Sequence, residues 1–213
     1  WEAARMFGAR DARRSGVLAA LAIGLALWLP GPFALPLLLA AIVVAAGSVE
    51  REKGPFFALA FWSLFGCVAM ALVRDHAGLI WVLWLVAVVV VSDVAGYFAG
   101  RTLGGPKFWP RDSPKKTWAG TVFGWLGAAL VGMWYMSQTG GGGQLIAVSV
   151  AVSMASQMGD IAESAMKRRV GVKDSSNLIP GHGGLMDRFD GMLGAAIFLL
   201  VVGPFIVFPA GLG

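Results

Sequence analysis

The chain of 213 residues is 57% hydrophobic and only 14% charged, with a formal net charge of +5 and a mean hydropathy of +0.73. Soluble domains carry charge on about a quarter of their residues, so this composition excludes an ordinary soluble protein and indicates an integral membrane protein. A single cysteine, Cys67, excludes an intrachain disulfide.

Seven apolar segments follow one another along the chain, separated by turns and by two longer polar loops. A helix needs about 20 mostly apolar residues to cross a ~30 Å hydrocarbon core. We therefore predict an all-α fold, a polytopic transmembrane helical bundle with about seven spans. The predicted spans cover residues 16–29, 33–49, 55–73, 79–98, 118–136, 145–166 and 192–209.

The first two segments flank a Leu-Pro-Gly-Pro break at residues 29–32. The first segment is short for the hydrocarbon core at about 1.5 Å per residue, so the two form either two spans or a re-entrant pair with its tip at this break. Three arginines precede the first segment as in a signal peptide, but no small-residue cleavage pattern follows. We expect a retained helix, with further residues upstream of Trp1.

Lysine and arginine are distributed unevenly between the two sides that alternate along these spans. Of the 17 Lys and Arg residues, only Arg74 falls on the side opposite to the N-terminus. Basic loops stay in the cytoplasm. The N-terminus and the two polar loops, residues 100–117 and 167–190, are therefore predicted to be cytoplasmic and the C-terminus to be outside.

The sixth segment ends in a polar stripe. On a helix, Asp160, Glu163, Ser164 and Lys167 are spaced i, i+3, i+4 and i+7, so they share one face. Each charge within a span costs roughly 2.5 to 3.5 kcal/mol on insertion scales, so the acids need cationic partners. A salt bridge from Glu163 to Lys167 is the ordinary solution, and it leaves Asp160 without a partner.

Two further acids, Asp187 and Asp190, lie three residues apart at the entry to the last segment. They would offset the dipole of a helix that begins there. If the last two segments pack side by side, both acids also meet Asp160, and three adjacent carboxylates attract a divalent cation. Oxygen ligands favour Mg²⁺, which combines one or two carboxylates with phosphate oxygens, so the pattern predicts a magnesium site and a phosphorylated substrate.

The loop between these acids contains the stretch PGHGG at residues 180–184. Its glycines allow backbone amides to approach an anion closely, although glycines alone also indicate a simple turn. His182 either donates a hydrogen bond to a phosphate or holds the loop in place.

The other loop contains SPKKT at residues 113–117, in which two hydroxyl and two ammonium groups suit a polyphosphate. Basic residues in such loops also contact lipid headgroups, which is their more common role. Asp93 lies near this loop, at the inner end of the fourth segment. It either pairs with Arg101 or Lys107 or binds a nucleotide or a metal.

The stretch SAMKRRVGVKDSSNLIPGHGGLMDRFD, residues 164–190, resembles the signature of the phosphatidate cytidylyltransferases, also called CDP-diacylglycerol synthases. The resemblance extends through Gly-Asp at residues 159–160, SPKKTW at 113–118 and SD...YF.GR over 92–101. Two features depart from the family: Gly191 stands where the family usually has serine, and family members generally have additional N-terminal spans.

The resemblance implies a Mg²⁺-dependent enzyme of the bacterial cytoplasmic membrane whose active site faces the cytoplasm. It would join CTP and phosphatidic acid to give CDP-diacylglycerol and pyrophosphate, by in-line attack of the lipid phosphate on the α-phosphorus of CTP. A second, monovalent ion such as K⁺ is left open. Carried over residue by residue, the resemblance implies that the metal ligands are Asp160, Asp187 and Asp190. The implied catalytic residues are Ser164, Lys167, Asp187 and Asp190. The residues implied to bind CTP or phosphate are Ser113, Lys115, Lys116, Thr117, Lys173, His182, Gly183 and Arg188.

On this interpretation the chain divides into N-terminal spans, residues 1–54, and a catalytic membrane domain, residues 55–213, that carries both loops. Its partners are CTP, phosphatidic acid and membrane lipids, with no nucleic acid, and glycine-lined helix faces favour a homodimer. Two alternatives are an ion-coupled membrane transporter, because buried acids also mark ion pathways, and a related lipid phosphotransferase or CDP-lipid synthase.

Overall fold

The computed structural model describes residues 1–50, 52–110 and 113–206. It is built of helices, with one short β-hairpin. The helices are α1 (Glu2–Met6), α2 (Ala12–Trp28), α3 (Ala34–Gly47), α4 (Lys53–Ala77), α5 (Leu79–Thr102), α6 (Trp118–Thr139), α7 (Gln144–Arg169) and α8 (Met186–Val202). The hairpin strands are β1 (Lys107–Trp109) and β2 (Ser113–Thr117), and the turns Gly31–Phe33 and Gly203–Phe205 are 3₁₀ helices.

Five helices, α4 to α8, are long and apolar enough to cross a membrane, which confirms the predicted class of all-α membrane protein. The helices α2 and α3 are shorter, with 17 and 14 residues. They form an antiparallel pair around the predicted break, because the prolines at positions 30 and 32 cannot continue α2. Each of the seven predicted segments thus contains a helix, and residues 207–209 of the last lie outside the described part of the chain.

The start of α8 differs from the prediction in a way that affects the site. The helix begins at Met186, whereas the apolar segment was predicted from residue 192. Its first two turns are polar and were counted as loop. Asp187 and Asp190 are therefore fixed on the helix itself, close to its N-terminus.

The loop before α6 is folded as an antiparallel hairpin, which was not predicted. The backbone N–H of Trp118 donates to the carbonyl of Pro106 at 3.0 Å, and the Phe108 and Trp118 rings pack edge to face. The Thr117 hydroxyl accepts a hydrogen bond from the Gly120 amide at 3.1 Å and caps α6. The hairpin is thereby held against the start of α6, with the lysines of β2 beside α7.

Glycines bring the long helices into close contact. A Cβ on Gly120 of α6 would lie 2.6 Å from the Gly96 carbonyl of α5, and one on Gly124 would lie 3.0 Å from the Ser92 carbonyl. Gly120 and Gly124 therefore allow α5 and α6 to pack closely. The contact of α7 with α8 has the same basis, since a Cβ on Gly194 would lie 2.7 Å from the Ala155 carbonyl.

These close contacts lie within one chain. They place α8 directly beside α7, as the prediction of a shared acidic site required. They also occupy the glycine faces on which the prediction of a homodimer rested, so these faces supply no argument for a second copy.

Candidate active site

Lys167, near the end of α7, binds two carboxylates. Its Nζ lies 2.6 Å from Oε2 of Glu163 on the same helix and 2.7 Å from Oδ1 of Asp187 on α8. Glu163 is fully buried, and the Lys167 side chain is only 9% exposed. The predicted salt bridge within α7 is confirmed, and its extension to α8 was not predicted. Because removal of one member of a buried ion pair costs about 3 to 5 kcal/mol, this cluster holds the two helices together.

Asp187 is surrounded by donors. Its Oδ2 accepts hydrogen bonds from the backbone N–H groups of Ser175 at 2.9 Å and Gly184 at 2.7 Å. Gly183 has φ +80°, and a Cβ there would lie 2.6 Å from the same oxygen. The glycine-rich loop was expected to offer its amides to a ligand. In the structure the Gly184 amide binds Asp187 instead.

Asp160 forms an ion pair with Lys116 of β2, the cationic partner that the sequence did not identify. Lys116 also donates to the carbonyl of Gln157 at 3.4 Å, and the Ser164 hydroxyl lies 3.4 Å from Oδ1 of Asp160. These contacts bring the basic loop before α6 to the acidic stripe of α7. Asp160, which the sequence left without a partner, is thus paired across the contact of β2 with α7.

Asp190 lies beside Glu163 and within electrostatic reach of Asp160. Its Oδ1 accepts a hydrogen bond from the Gly191 amide at 2.7 Å. A Cβ on Gly191 would lie 2.5 Å from the hydroxyl of Ser156, which is buried. The serine that the family usually has at this position would therefore require Ser156 to move.

The three predicted metal ligands, Asp160, Asp187 and Asp190, differ in their contacts. Within residues 1–50, 52–110 and 113–206, no three His, Cys, Asp or Glu side chains are arranged so that they could hold a metal ion. Asp187 is bound by Lys167 and by two backbone amides. Oε1 of Glu163 is buried, next to Asp190. The acids fit a Mg²⁺ ion only if one or two carboxylates bind it and phosphate oxygens supply further ligands.

A cavity of about 340 Å³ opens beside this cluster, between α5, β2, α6 and α7. Arg101 donates to the Tyr97 hydroxyl at 2.9 Å. Asp93 forms no ion pair with a described residue, so its predicted pairing with Arg101 or Lys107 is not found there. Ser113 does not line the cavity. The charged and hydroxyl-bearing residues that line it include Asp93, Tyr97, Arg101, Lys115, Lys116 and Thr117.

Of the remaining predicted residues, Lys173 and His182 are exposed in the loop between α7 and α8, and Arg188 is exposed on the first turn of α8. The Arg188 guanidinium donates to the carbonyl of His182, with Nε at 3.1 Å and Nη2 at 2.5 Å. The His182 ring nitrogen Nδ1 lies 3.2 Å from the Pro180 carbonyl. Lys173 is exposed and forms no ion pair within the described residues. All three side chains are exposed.

Sequence reasoning missed one residue that belongs to this region, Glu2. Its carboxylate is buried and accepts hydrogen bonds from the amides of Leu185 at 2.9 Å and Met186 at 2.6 Å and from the Ser176 hydroxyl at 2.5 Å. The first amides of a helix need acceptors, and Leu185, at the N-cap of α8, has no side chain that could serve. The sequence shows that Leu185 cannot cap α8 with its side chain. It does not show which distant residue accepts the hydrogen bonds instead.

The fold and the site together define a polytopic helical membrane protein in which acids and lysines from α7, α8 and the hairpin form one polar cluster. The chain belongs to the Cytidylyltransferase family, whose model matches residues 1–205.

Curated relatives support the same assignment. The chain is 41% identical over 153 residues to a phosphatidate cytidylyltransferase of Brucella suis biovar 1 (strain 1330), which covers 70% of the chain and 57% of the relative. It is 40% identical over 144 residues to that of Helicobacter pylori (strain J99 / ATCC 700824), covering 67% and 52%. It is 38% identical over 149 residues to that of Mycobacterium bovis (strain ATCC BAA-935 / AF2122/97), covering 68% and 48%. The chain thus spans about half the length of these relatives.

Proposed function

We propose that the protein is a phosphatidate cytidylyltransferase, which joins CTP and phosphatidic acid to give CDP-diacylglycerol and pyrophosphate. Family membership and the relatives' names support the reaction. The observation that carries the proposal is the ion pair between Lys116 and Asp160, because it connects the cation-lined cavity to the acids of α7 and α8. Nucleotidyl transfer needs both, cations for a triphosphate and carboxylates for its metal ion.

The cavity is proposed to bind the triphosphate of CTP. Arg101 and Lys115 line it and supply positive charge, while Lys116 is shared between the cavity and Asp160. An oxygen of the phosphatidate phosphate attacks the α-phosphorus of CTP, the bond to the β-phosphate oxygen breaks, and pyrophosphate leaves. The exposed side chains of Lys173, His182 and Arg188 are proposed to bind the phosphate groups that enter and leave.

Asp160 and Asp190 are the residues proposed to hold Mg²⁺, with the buried carboxylate of Glu163 beside them. When bound, Mg²⁺ neutralises charge on the reacting phosphates. The metal-binding role of Asp187, the third predicted ligand, stays a prediction. In the structure its contacts with Lys167 and the loop amides orient the start of α8.

The membrane arrangement is proposed from the charges. The N-terminus and both polar loops would face the cytoplasm, where CTP is available, and the C-terminus would lie outside, in a bacterial cytoplasmic membrane. At about 1.5 Å per residue, α2 and α3 are short for a full crossing. The side on which α4 begins is the same whether this pair crosses or turns back, so the proposed orientation of α4 to α8 does not depend on it.

The test is turnover by the purified protein in detergent with Mg²⁺, phosphatidate and labelled CTP, with ATP and GTP as controls. In the presence of phosphatidate, we expect release of pyrophosphate with CTP and none with ATP or GTP. Asp190→Asn removes a carboxylate from the cluster and should lower turnover by roughly 100-fold or more. The matched control is Asp75→Asn at the exposed end of α4, which should keep full turnover. Full turnover by Asp190→Asn, or none by the parent with every substrate present, would refute the proposal.

A further inference from the structure

The Glu2 carboxylate joins three parts of the chain that are far apart in sequence. It comes from α1 and binds the Ser176 hydroxyl in the loop after α7 and the amides of Leu185 and Met186 at the start of α8. We infer that Glu2 is a positioning residue that holds Asp187 and the hydrogen-bond partners of Asp187 in place. This goes beyond the proposed function, which assigns Glu2 no role.

The first argument is adjacency along the chain. Each partner of Glu2 is the immediate neighbour of a residue in the Asp187 cluster. Ser176 follows Ser175, whose amide binds Asp187, and Met186 precedes Asp187 itself. The carboxylates of Glu2 and Asp187 therefore bind the same two stretches of backbone. Displacement of the backbone from Glu2 would also displace the groups that bind Asp187.

The second argument is the space at Gly184. Its amide donates to Asp187 at 2.7 Å. A Cβ at this position would overlap both the Ser175 hydroxyl and Oε1 of Glu2. The Glu2 carboxylate thus lies against the backbone that binds Asp187.

The third argument is energetic. Glu2 is only 9% exposed, so its hydrogen bonds form away from bulk water, and those to an ionised acceptor are roughly twice as strong as neutral ones. The negative charge also lies at the N-terminus of α8, where the helix dipole favours it. Without Glu2 the amides of Leu185 and Met186 would lose their acceptor, and the first turn of α8 would open more easily.

The experiment compares Glu2→Gln with Glu50→Gln, a change of the same chemistry at an exposed acid that pairs with Arg10. Hydrogen–deuterium exchange is followed at the amides of Ser175 and Gly184, which bind Asp187 and do not touch Glu2 through hydrogen bonds. Glu2→Gln should accelerate their exchange roughly tenfold, the scale of losing a helix cap, and Glu50→Gln should leave it unchanged. Unchanged exchange in Glu2→Gln would overturn the inference.

A second readout separates positioning from simple loss of stability, and it rests on the proposed function. At a temperature where both variants are fully folded, Glu2→Gln should lower kcat roughly tenfold with KM for CTP changed less than about twofold. An unchanged kcat in an active enzyme would contradict the inference even if exchange is faster. If the parent protein does not turn over CTP, the proposed function fails, and the exchange result alone decides on Glu2.

A milder variant covers the case in which Glu2→Gln does not fold. Ser176→Ala keeps the charge of Glu2 and removes one of its three hydrogen bonds. It should accelerate exchange at Ser175 and Gly184 in the same direction but less strongly. Exchange equal to that of the parent would count against the inference.

Discussion

The ammonium group of Lys167 neutralises carboxylates on two helices, and its replacement tests what this contact contributes to stability. In Lys167→Met the buried acids Glu163 and Asp187 would face each other without a counter-charge. We expect the free energy of unfolding to fall by about 3 to 5 kcal/mol, because buried charges left without a partner are costly. Thermal unfolding of the purified protein in detergent measures the change.

Arg169→Met is the matched control on the same helix. Arg169 pairs with Glu52 at 2.8 Å, but the two side chains are 58% and 42% exposed. Exposed pairs contribute about 0 to 1 kcal/mol, so this variant should unfold close to the parent. An equal loss of unfolding free energy in both variants would contradict the larger stabilisation expected from the buried Lys167.

The sequence predicted individual contacts only where one helix sets the distance. Glu163 and Lys167 are four residues apart, and that spacing alone brings their side chains together. The pairing of Lys116 with Asp160 depends on how β2 packs on α7, and the cap from Glu2 depends on α1 packing on α8. No local pattern encodes such distances, so these contacts had to be found in the structure.

Among the elements, α5 and α6 pack through glycines with no space for a larger residue. In Gly120→Ala the new methyl group would lie 2.6 Å from the Gly96 carbonyl, which is backbone and can move only with its helix. Overpacking of this kind costs about 1 to 3 kcal/mol. We expect a lower midpoint of thermal unfolding, with the two helices forced apart.

Gly24→Ala is the control for the same substitution on α2. A Cβ at Gly24 would meet no atom within 4 Å. Alanine favours a helix over glycine by up to about 1 kcal/mol, so this variant should be as stable as the parent or more stable. Equal destabilisation in both would contradict the glycine contact between α5 and α6.

The helices were predictable as elements because apolar length alone identifies them, and the ends of the apolar runs set approximate boundaries. The start of α8 was misplaced because its first turns are polar and its cap comes from Glu2. The hairpin was missed because its strands have three and five residues, and β2 reads SPKKT with a proline and no apolar alternation. Its register is fixed by contacts with α6 that the sequence does not show.

At the scale of the whole molecule, the polar cluster uses residues from both ends of the described chain. Glu2 contacts the start of α8 across 183 and 184 residues of sequence, and Lys116 contacts α7 across 41. Glu2, in the predicted N-terminal spans 1–54, thus contacts a helix of the predicted catalytic domain 55–213. The short N-terminal helix supports the helix that carries the acids.

The orientation proposed for the molecule in the membrane rests on the distribution of Lys and Arg residues, and it can be tested with single cysteines. In a Cys67→Ser background, Lys107→Cys places a thiol on the exposed hairpin. At the opposite helix ends, Gly142→Cys places it in the exposed turn between α6 and α7, and Asp75→Cys places it at the exposed end of α4. Because basic loops stay inside, a maleimide that cannot cross membranes should label the last two in intact cells. Lys107→Cys should react only after the membrane is opened. The reverse pattern would invert the proposed orientation, and labelling of all three in intact cells would exclude a membrane between the hairpin and those turns.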